Sequence, residues 1–119
     1  MLPTIKTLDD FEKRILKTPH PKLLLLTTSW SDKGKVLTQV MENIHPTYEK
    51  YIEFFKIETD KLPEVTEKYK VSSLPALMLV YEGQIEDFTI KFTSKEMVIG
   101  ILESFFTRKG KNPLVKKFI

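Results

Sequence analysis

Few side chains in this 119-residue chain could carry out catalysis, and their spacing forms no complete catalytic set. His20 and His45 are the only histidines, each lies beside a proline, and no serine–histidine–aspartate grouping follows from their positions. Glu58 and Asp60 lie two residues apart, at the expected end of a strand. Segment 31–35 (SDKGK) has the residue types of a phosphate-binding loop but lacks its spaced glycines. We therefore expect these groups to lie on a solvated surface.

Cysteine is absent from the sequence, which excludes disulfides, thiol catalysis and thiolate metal sites. Two histidines without cysteine form no adequate ligand set, so we expect no metal and no cofactor. Hydrophobic residues make up 41% and charged residues 29%, as in one soluble globular domain. The longest apolar run, 23–26, is far shorter than the roughly 18–20 residues of a membrane span. We expect a cytoplasmic or nuclear protein, or one matured in an organelle.

The net charge of +3 is unevenly distributed. Residues 108–119 (RKGKNPLVKKFI) contain five basic residues and no acid, whereas all 16 acids lie in residues 1–107. We predict a domain over 1–107 and a basic C-terminal tail over 108–119. A basic tail suits an anionic partner, such as nucleic acid, a membrane surface or an acidic protein face, or it simply keeps the chain end solvated. The candidate tail-binding residues are Arg108, Lys109, Lys111, Lys116 and Lys117.

Hydrophobic periodicity predicts helices that alternate with strands. Helices are predicted after a Thr7 cap, across 36–44, from Pro63 and after a Ser94 cap. Pro46 is expected to end or kink the second of these. Strands are predicted at 23–26, 51–57, 77–81 and 85–92, the last two as a hairpin. This order indicates an α/β fold with a central mixed sheet of about four strands, flanked on both faces by about four helices.

Two short segments fit this frame at a spacing that points to a known family. They are Trp30-Ser31-Asp32-Lys33-Gly34-Lys35 and Leu74-Pro75-Ala76, with 45 residues from Trp30 to Pro75. Their spacing and the element order resemble the thioredoxin family. That family carries Trp-Cys-Gly-Pro-Cys-Lys at the start of its second helix and a cis-proline opposite it. The resemblance covers about residues 7–107 and implies a thioredoxin-like fold with a cis bond before Pro75.

The same comparison implies that the redox chemistry of the family is missing. Its two cysteines correspond to Ser31 and Gly34, and the buried acid that assists proton transfer in many members corresponds to Leu25. A serine hydroxyl is essentially never ionised near neutral pH, and glycine has no side chain, so no thiol–disulfide exchange follows. We therefore expect no enzymatic activity. Natural loss of function explains all three replacements better than an engineered trapping mutant, which would usually keep one cysteine.

Binding is the function that these replacements leave intact. In the family, the groove beside the motif accepts an extended partner segment, which pairs with backbone near the cis-proline. The resemblance therefore implies a partner-binding surface made of Trp30, Ser31, Asp32, Lys33, Ser73, Leu74, Pro75 and Lys91. An exposed tryptophan would be a natural hot spot for this contact. The alternative is that Trp30 only packs over the helix start and Pro75 only shapes a turn.

We expect a non-catalytic thioredoxin-like interaction module that binds a protein partner as a small subunit or adaptor of a larger complex. The chain also resembles, more distantly, the thioredoxin-like protein of the spliceosomal tri-snRNP. Met1-Leu2-Pro3 and the basic stretch 107–111 carry that likeness, which implies contact with RNA or ribonucleoprotein through the tail. The motif segment and Leu74-Pro75-Ala76 follow thioredoxin itself. A redox-silent chaperone for extended polypeptides is the third interpretation.

Overall fold

The structure is a computed structural model that describes residues 2–89 and 94–109. These residues contain five strands and four helices. The strands are β1 (Thr4–Ile5), β2 (Lys22–Thr27), β3 (Glu53–Glu58), β4 (Ala76–Tyr81) and β5 (Gln84–Thr89). The helices are α1 (Leu8–Phe11), with a π-helical continuation over Glu12–Leu16, then α2 (Asp32–Tyr48), α3 (Pro63–Tyr69) and α4 (Lys95–Arg108). None of the helices in this part of the chain is long and apolar enough to cross a membrane.

The strands form one mixed sheet in the order β1-β3-β2-β4-β5. The first three are parallel to one another, whereas β4 and β5 run antiparallel to their neighbours. This confirms the predicted α/β architecture and adds one strand to it. Strand β1 has only two residues, Thr4 and Ile5, opposite Lys56 and Ile57. It is too short to show a hydrophobic period, and only its pairing with β3 defines it.

Strand β2 lies at the centre of the sheet and is buried on both faces. Leu23 and Leu25 face the core beneath α2 and α4, while Leu24 and Leu26 face the core on the side of α1 and α3. All four side chains are inaccessible to solvent. The continuous apolar run predicts this placement, because a strand covered on both faces has no polar side.

The helix starts and the hairpin follow the local sequence. Thr7 and Ser94 cap α1 and α4, accepting hydrogen bonds from the backbone N–H of Asp10 at 3.1 Å and Met97 at 3.3 Å. In the hairpin turn, Glu82 has φ of 51° and Gly83 has φ of 75°, as a two-residue turn of the type I′ class requires.

Pro46 was expected either to end or to kink helix α2, and the first of these effects does not occur. Helix α2 runs through Pro46 and ends at Tyr48, so the proline does not end it. Proline removes one backbone donor, but the helix resumes its bonding beyond it, because Glu49 N–H donates to the carbonyl oxygen of His45 at 2.9 Å.

Lys22 is a buried cation at the start of β2. Its side chain is inaccessible to solvent, and its ammonium donates to the carbonyl oxygen of Thr18. Burial lowers the pKa of Lys22 below its ordinary value of 10.5, and the nearby carboxylate of Glu53 partly opposes that shift. The charged form of this lysine is therefore less favourable in the folded protein than in the unfolded chain.

This shift predicts a pH dependence of stability that the variant Lys22→Met should lose. Between the lowered folded pKa and 10.5 the unfolded chain binds more protons, so the wild-type free energy of unfolding rises with pH relative to the variant. The slope can reach about 1.4 kcal/mol per pH unit. Urea denaturation of both proteins from pH 7 to 10.5 measures it.

The exposed Lys17 gives a matched control: Lys17→Met keeps Lys22, so its free energy of unfolding should follow the wild-type pH dependence. Burial raises the pKa of Tyr48 and of Tyr69, but both tyrosines are present in all three proteins and cancel in the differences. A wild-type minus Lys22→Met difference that stays flat across this pH range would contradict the prediction.

Candidate functional site

The sheet brings the two predicted binding segments to the same edge. Strands β2 and β4 are antiparallel neighbours, and Leu26 lies opposite Ala76. The loop that carries Trp30 leaves the sheet just after Thr27, the residue next to Leu26, and the segment that carries Leu74 enters the sheet at Ala76. The two segments therefore lie at the same edge of the sheet, next to the paired residues Leu26 and Ala76, as the family resemblance implies.

The predicted binding residues differ in exposure. Trp30 is 70% exposed and Leu74 is 37% exposed, so both present apolar surface to solvent. Asp32, Lys33 and Ser73 are also exposed, whereas Ser31 is half-buried and Pro75 is buried. The peptide bond between Leu74 and Pro75 is cis. Lys91, the last predicted member, lies outside the described residues.

Asp60 holds the Trp30 loop against the end of β3. Its carboxylate accepts a hydrogen bond from the backbone N–H of Ser29 at 2.9 Å and a second one from the Ser29 hydroxyl. The Ser29 hydroxyl is the main reason that the pKa of Asp60 lies below its ordinary value of 3.8. The backbone N–H of Ser31 also donates to the carbonyl oxygen of Thr28 at 3.3 Å and closes the turn around Trp30.

Ser31, which the sequence resemblance matches to the family's nucleophilic cysteine, caps a helix. It adopts an extended backbone just before α2, and its hydroxyl oxygen accepts a hydrogen bond from the backbone N–H of Gly34 at 3.0 Å. Serine is among the residues that satisfy the free N–H groups of a first helical turn best. This position therefore keeps a structural role without a thiol.

The sequence resemblance matches Gly34 to the family's second cysteine, but Thr27 occupies the space that a side chain at position 34 would need. A Cβ atom added to Gly34 would lie 1.9 Å from Thr27 Oγ1, 2.8 Å from its Cβ and 3.2 Å from its Cγ2. Thr27 is the last residue of β2 and is only 3% exposed. Even alanine would therefore force Thr27 to move.

The chemistry available at this edge is accordingly limited. The chain has no cysteine and hence no dithiol, and Leu25, at the position of the family's buried acid, is fully buried among apolar residues. No group of three histidine, aspartate or glutamate side chains within residues 2–89 and 94–109 is arranged to hold a metal ion. What the edge presents is an indole, a leucine side chain and polar groups around them.

The predicted tail residues begin at the other end of the sheet. Arg108 is the last residue of α4 and is exposed, with its guanidinium 3.5 Å from Ser104 Oγ. The ammonium of Lys109 lies 2.8 Å from a carboxylate oxygen of Glu86 and 5.4 Å from the ring centre of Tyr81. Lys111, Lys116 and Lys117 lie outside the described residues.

Sequence reasoning missed two residues that shape this site. Asp60 is exposed, as expected of a solvated acid at a strand end, but its binding to the Trp30 loop was not expected. Thr27 carried no signal, because its contact with position 34 depends on where α2 begins over the end of β2. The Ser31 cap could have been predicted from the sequence, because serine directly before a helix commonly accepts a hydrogen bond from a backbone N–H of the first turn.

Comparisons with known proteins agree with this geometry. The sequence pattern of the thioredoxin family matches residues 3–103. The chain is 29% identical over 89 residues to a thioredoxin of Rickettsia bellii, covering 75% of this chain and 85% of that protein. It is 28% identical over 96 residues to a thioredoxin of Allochromatium vinosum, covering 81% and 90%. It is 27% identical over 100 residues to the chloroplastic thioredoxin Y1 of Arabidopsis thaliana, covering 83% of this chain and 58% of that protein.

The Thr27–Gly34 contact predicts that Gly34→Ala destabilises the protein by about 1–3 kcal/mol, because the added methyl group overpacks a buried site. Thr27→Ala removes Oγ1 and Cγ2 and leaves only the Cβ atom at 2.8 Å, so it relieves most of the clash but not all of it. The double variant should therefore recover about 1–2 kcal/mol relative to the sum of the two single effects. Chemical denaturation of the four proteins measures this coupling.

Gly100 provides the control, because nothing lies within 4 Å of a Cβ added there in the middle of α4. Gly100→Ala should stabilise the protein by about 0.5–1 kcal/mol, the usual gain for this change in a helix. Equal effects of alanine at positions 34 and 100, or no coupling with Thr27, would refute the steric account.

The Asp60–Ser29 pair predicts that Ser29→Ala raises the pKa of Asp60 toward 3.8, because the largest stabilising contact of the carboxylate is removed. In the wild type the stabilisation that this contact contributes is fully present above pH 3.8. It is lost as the pH falls through the lower pKa of the folded protein. NMR titration of the Asp60 side-chain carboxyl carbon measures both midpoints. Ser72→Ala, an exposed serine near Leu74, serves as control, and an unchanged midpoint in Ser29→Ala would contradict the assignment.

Proposed function

The chain belongs to the thioredoxin family without its dithiol, and from this premise we propose that it is a non-catalytic module that binds a protein partner. The partner would contact the edge of the sheet where Trp30 and Leu74 are exposed. In this role the protein acts as a small subunit or adaptor of a larger assembly.

The observation that carries the proposal is the exposure of Trp30. Trp30 is 70% exposed, although it lies only three residues beyond a strand that is fully buried. It is the only tryptophan in the sequence. Tryptophan supplies a large contact area for little conformational entropy and is enriched among residues that dominate binding energy. A partner that covers this indole would gain hydrophobic free energy that the isolated domain does not.

The fixed conformation of the Trp30 loop supports the same role. Asp60 binds Ser29 through two hydrogen bonds, and the hydroxyl of Ser31 holds the first turn of α2. Because the loop is already held in place, binding would order fewer groups and would lose less entropy. These hydrogen bonds involve residues on either side of Trp30 and do not use its indole, which stays exposed.

The surroundings of Trp30 suit an interface of ordinary composition. Leu74 adds a second exposed apolar side chain, and Asp32, Lys33 and Ser73 add exposed polar groups. An apolar centre with a polar rim is the usual arrangement of a protein interface. Since the chain has no thiol, the complex would be held by non-covalent contacts alone, and its lifetime would depend on their dissociation rate.

We expect Trp30→Ala to weaken binding of the partner by roughly 30-fold or more, the cost of truncating a hot-spot residue. Leu74→Arg should weaken it as well, by placing a charge in the apolar centre. Both residues are exposed, so the thermal midpoint should hardly change. Ile85→Ala is the matched control, because Ile85 is 42% exposed but lies near the hairpin turn at the other end of β4.

The measurement has two steps. Quantitative affinity purification with the wild type and the three variants identifies proteins that depend on Trp30 and Leu74 but not on Ile85, and titration calorimetry then gives each affinity. One stoichiometric partner supports the module. Many unfolded clients would instead support a chaperone. A partner that binds Trp30→Ala and Leu74→Arg as tightly as the wild type would show that another face of the protein binds it.

A further inference from the structure

An aromatic cavity lies at the end of the sheet remote from Trp30. Its volume is about 240 Å³, and it is lined by Pro21, Tyr51, Tyr81, Phe105 and Phe106. Phe105 and Phe106 are only 1% and 3% exposed, so Tyr51 and Tyr81 supply most of its accessible aromatic surface. Pro21 precedes β2 and Trp30 follows it, so the length of the strand separates the two places by roughly 20 Å at about 3.3 Å per residue. This cavity is therefore distinct from the proposed partner surface.

The aromatic walls are held in place by contacts among the rings themselves. Phe105 and Phe106 meet edge to face with ring centres 5.3 Å apart, and Tyr81 meets Phe105 in the same way at 5.4 Å. Tyr51 contacts Phe106 at 6.3 Å and is 44% exposed, so its ring is partly open to solvent. Such edge-to-face pairs are favourable, and they fix the cavity without a ligand.

Two lysines define the charge of the cavity. Lys109 lies over the ring of Tyr81 and forms an ion pair with Glu86. Lys50, which also lines the cavity, is exposed and forms no ion pair with any residue in the described part of the chain. Aromatic cavities often bind cations, but here one ammonium group already lies over a ring and a second would repel a cationic ligand. The unpaired charge favours an anion.

The volume limits the size of that anion. A cavity of roughly 150 Å³ lined by apolar side chains is enough to bind benzene, so 240 Å³ leaves room for one aromatic ring and a short acid chain. We propose that this cavity binds a small aromatic monocarboxylate, with its ring against the aromatic walls and its carboxylate beside Lys50. This site is independent of the proposed partner surface.

The test is a titration of the full 119-residue chain with 3-phenylpropionate, followed by two-dimensional amide NMR. We expect saturable shifts confined to residues around the cavity and no shift of the Trp30 indole N–H. The uncharged 3-phenylpropionamide should bind about fivefold more weakly, the effect of one partly screened charge pair. Lys50→Gln should reduce the affinity for the acid to that for the amide and leave the amide unaffected.

Lys33→Gln, an exposed lysine at the other end of the sheet, provides the control and should not change the affinity for the acid. Shifts that do not saturate, or that spread evenly over the protein, would overturn the proposal. So would equal affinities for the acid and the amide, or a Lys50→Gln protein that binds the acid as the wild type does.

Discussion

The structure depends on one strand that is buried on both faces. The leucines of β2 supply apolar surface to the two cores alternately, and full burial of each contributes about 2 kcal/mol. The same strand pairs with β3 on one side and β4 on the other, so it joins the parallel half of the sheet to the antiparallel half. The strand also separates the two candidate binding surfaces. Trp30 lies beyond its C-terminal end, and the aromatic cavity lies beside its N-terminal end.

At the edge beyond β2, the residues that the resemblance matches to the family's reactive positions stabilise the fold. Ser31 satisfies a backbone donor at the start of α2, and Gly34 allows Thr27 to pack beneath the helix. Leu25, which the resemblance matches to the family's buried acid, belongs to the apolar core. These residues stabilise the scaffold around Trp30, and the surface they support is one of contact rather than of chemistry.

Much of this arrangement follows from local sequence, and the rest depends on contacts between distant segments. Thr7 predicts the start of α1 because the hydrogen bond that caps this helix joins residues only three positions apart. The continuous apolar run predicts β2 because its burial on both faces requires every side chain in the run to be apolar. Strand β1 exists only through its pairing with β3. The bond from Ser29 to Asp60 joins residues 31 positions apart, and no periodic pattern announces it. Sequence spacing placed Trp30 and Leu74 at one edge, but only the structure gave their exposure.

The contact between Thr27 and Gly34 also limits how this part of the molecule can be altered. A cysteine at position 34 would place its Cβ atom 1.9 Å from Thr27 Oγ1, so it would meet the same steric obstacle as alanine. A smaller residue at position 27 would have to accompany it. A thiol could therefore be introduced at the start of α2 only as part of a paired change, because the effects of substitutions at the two positions are not additive.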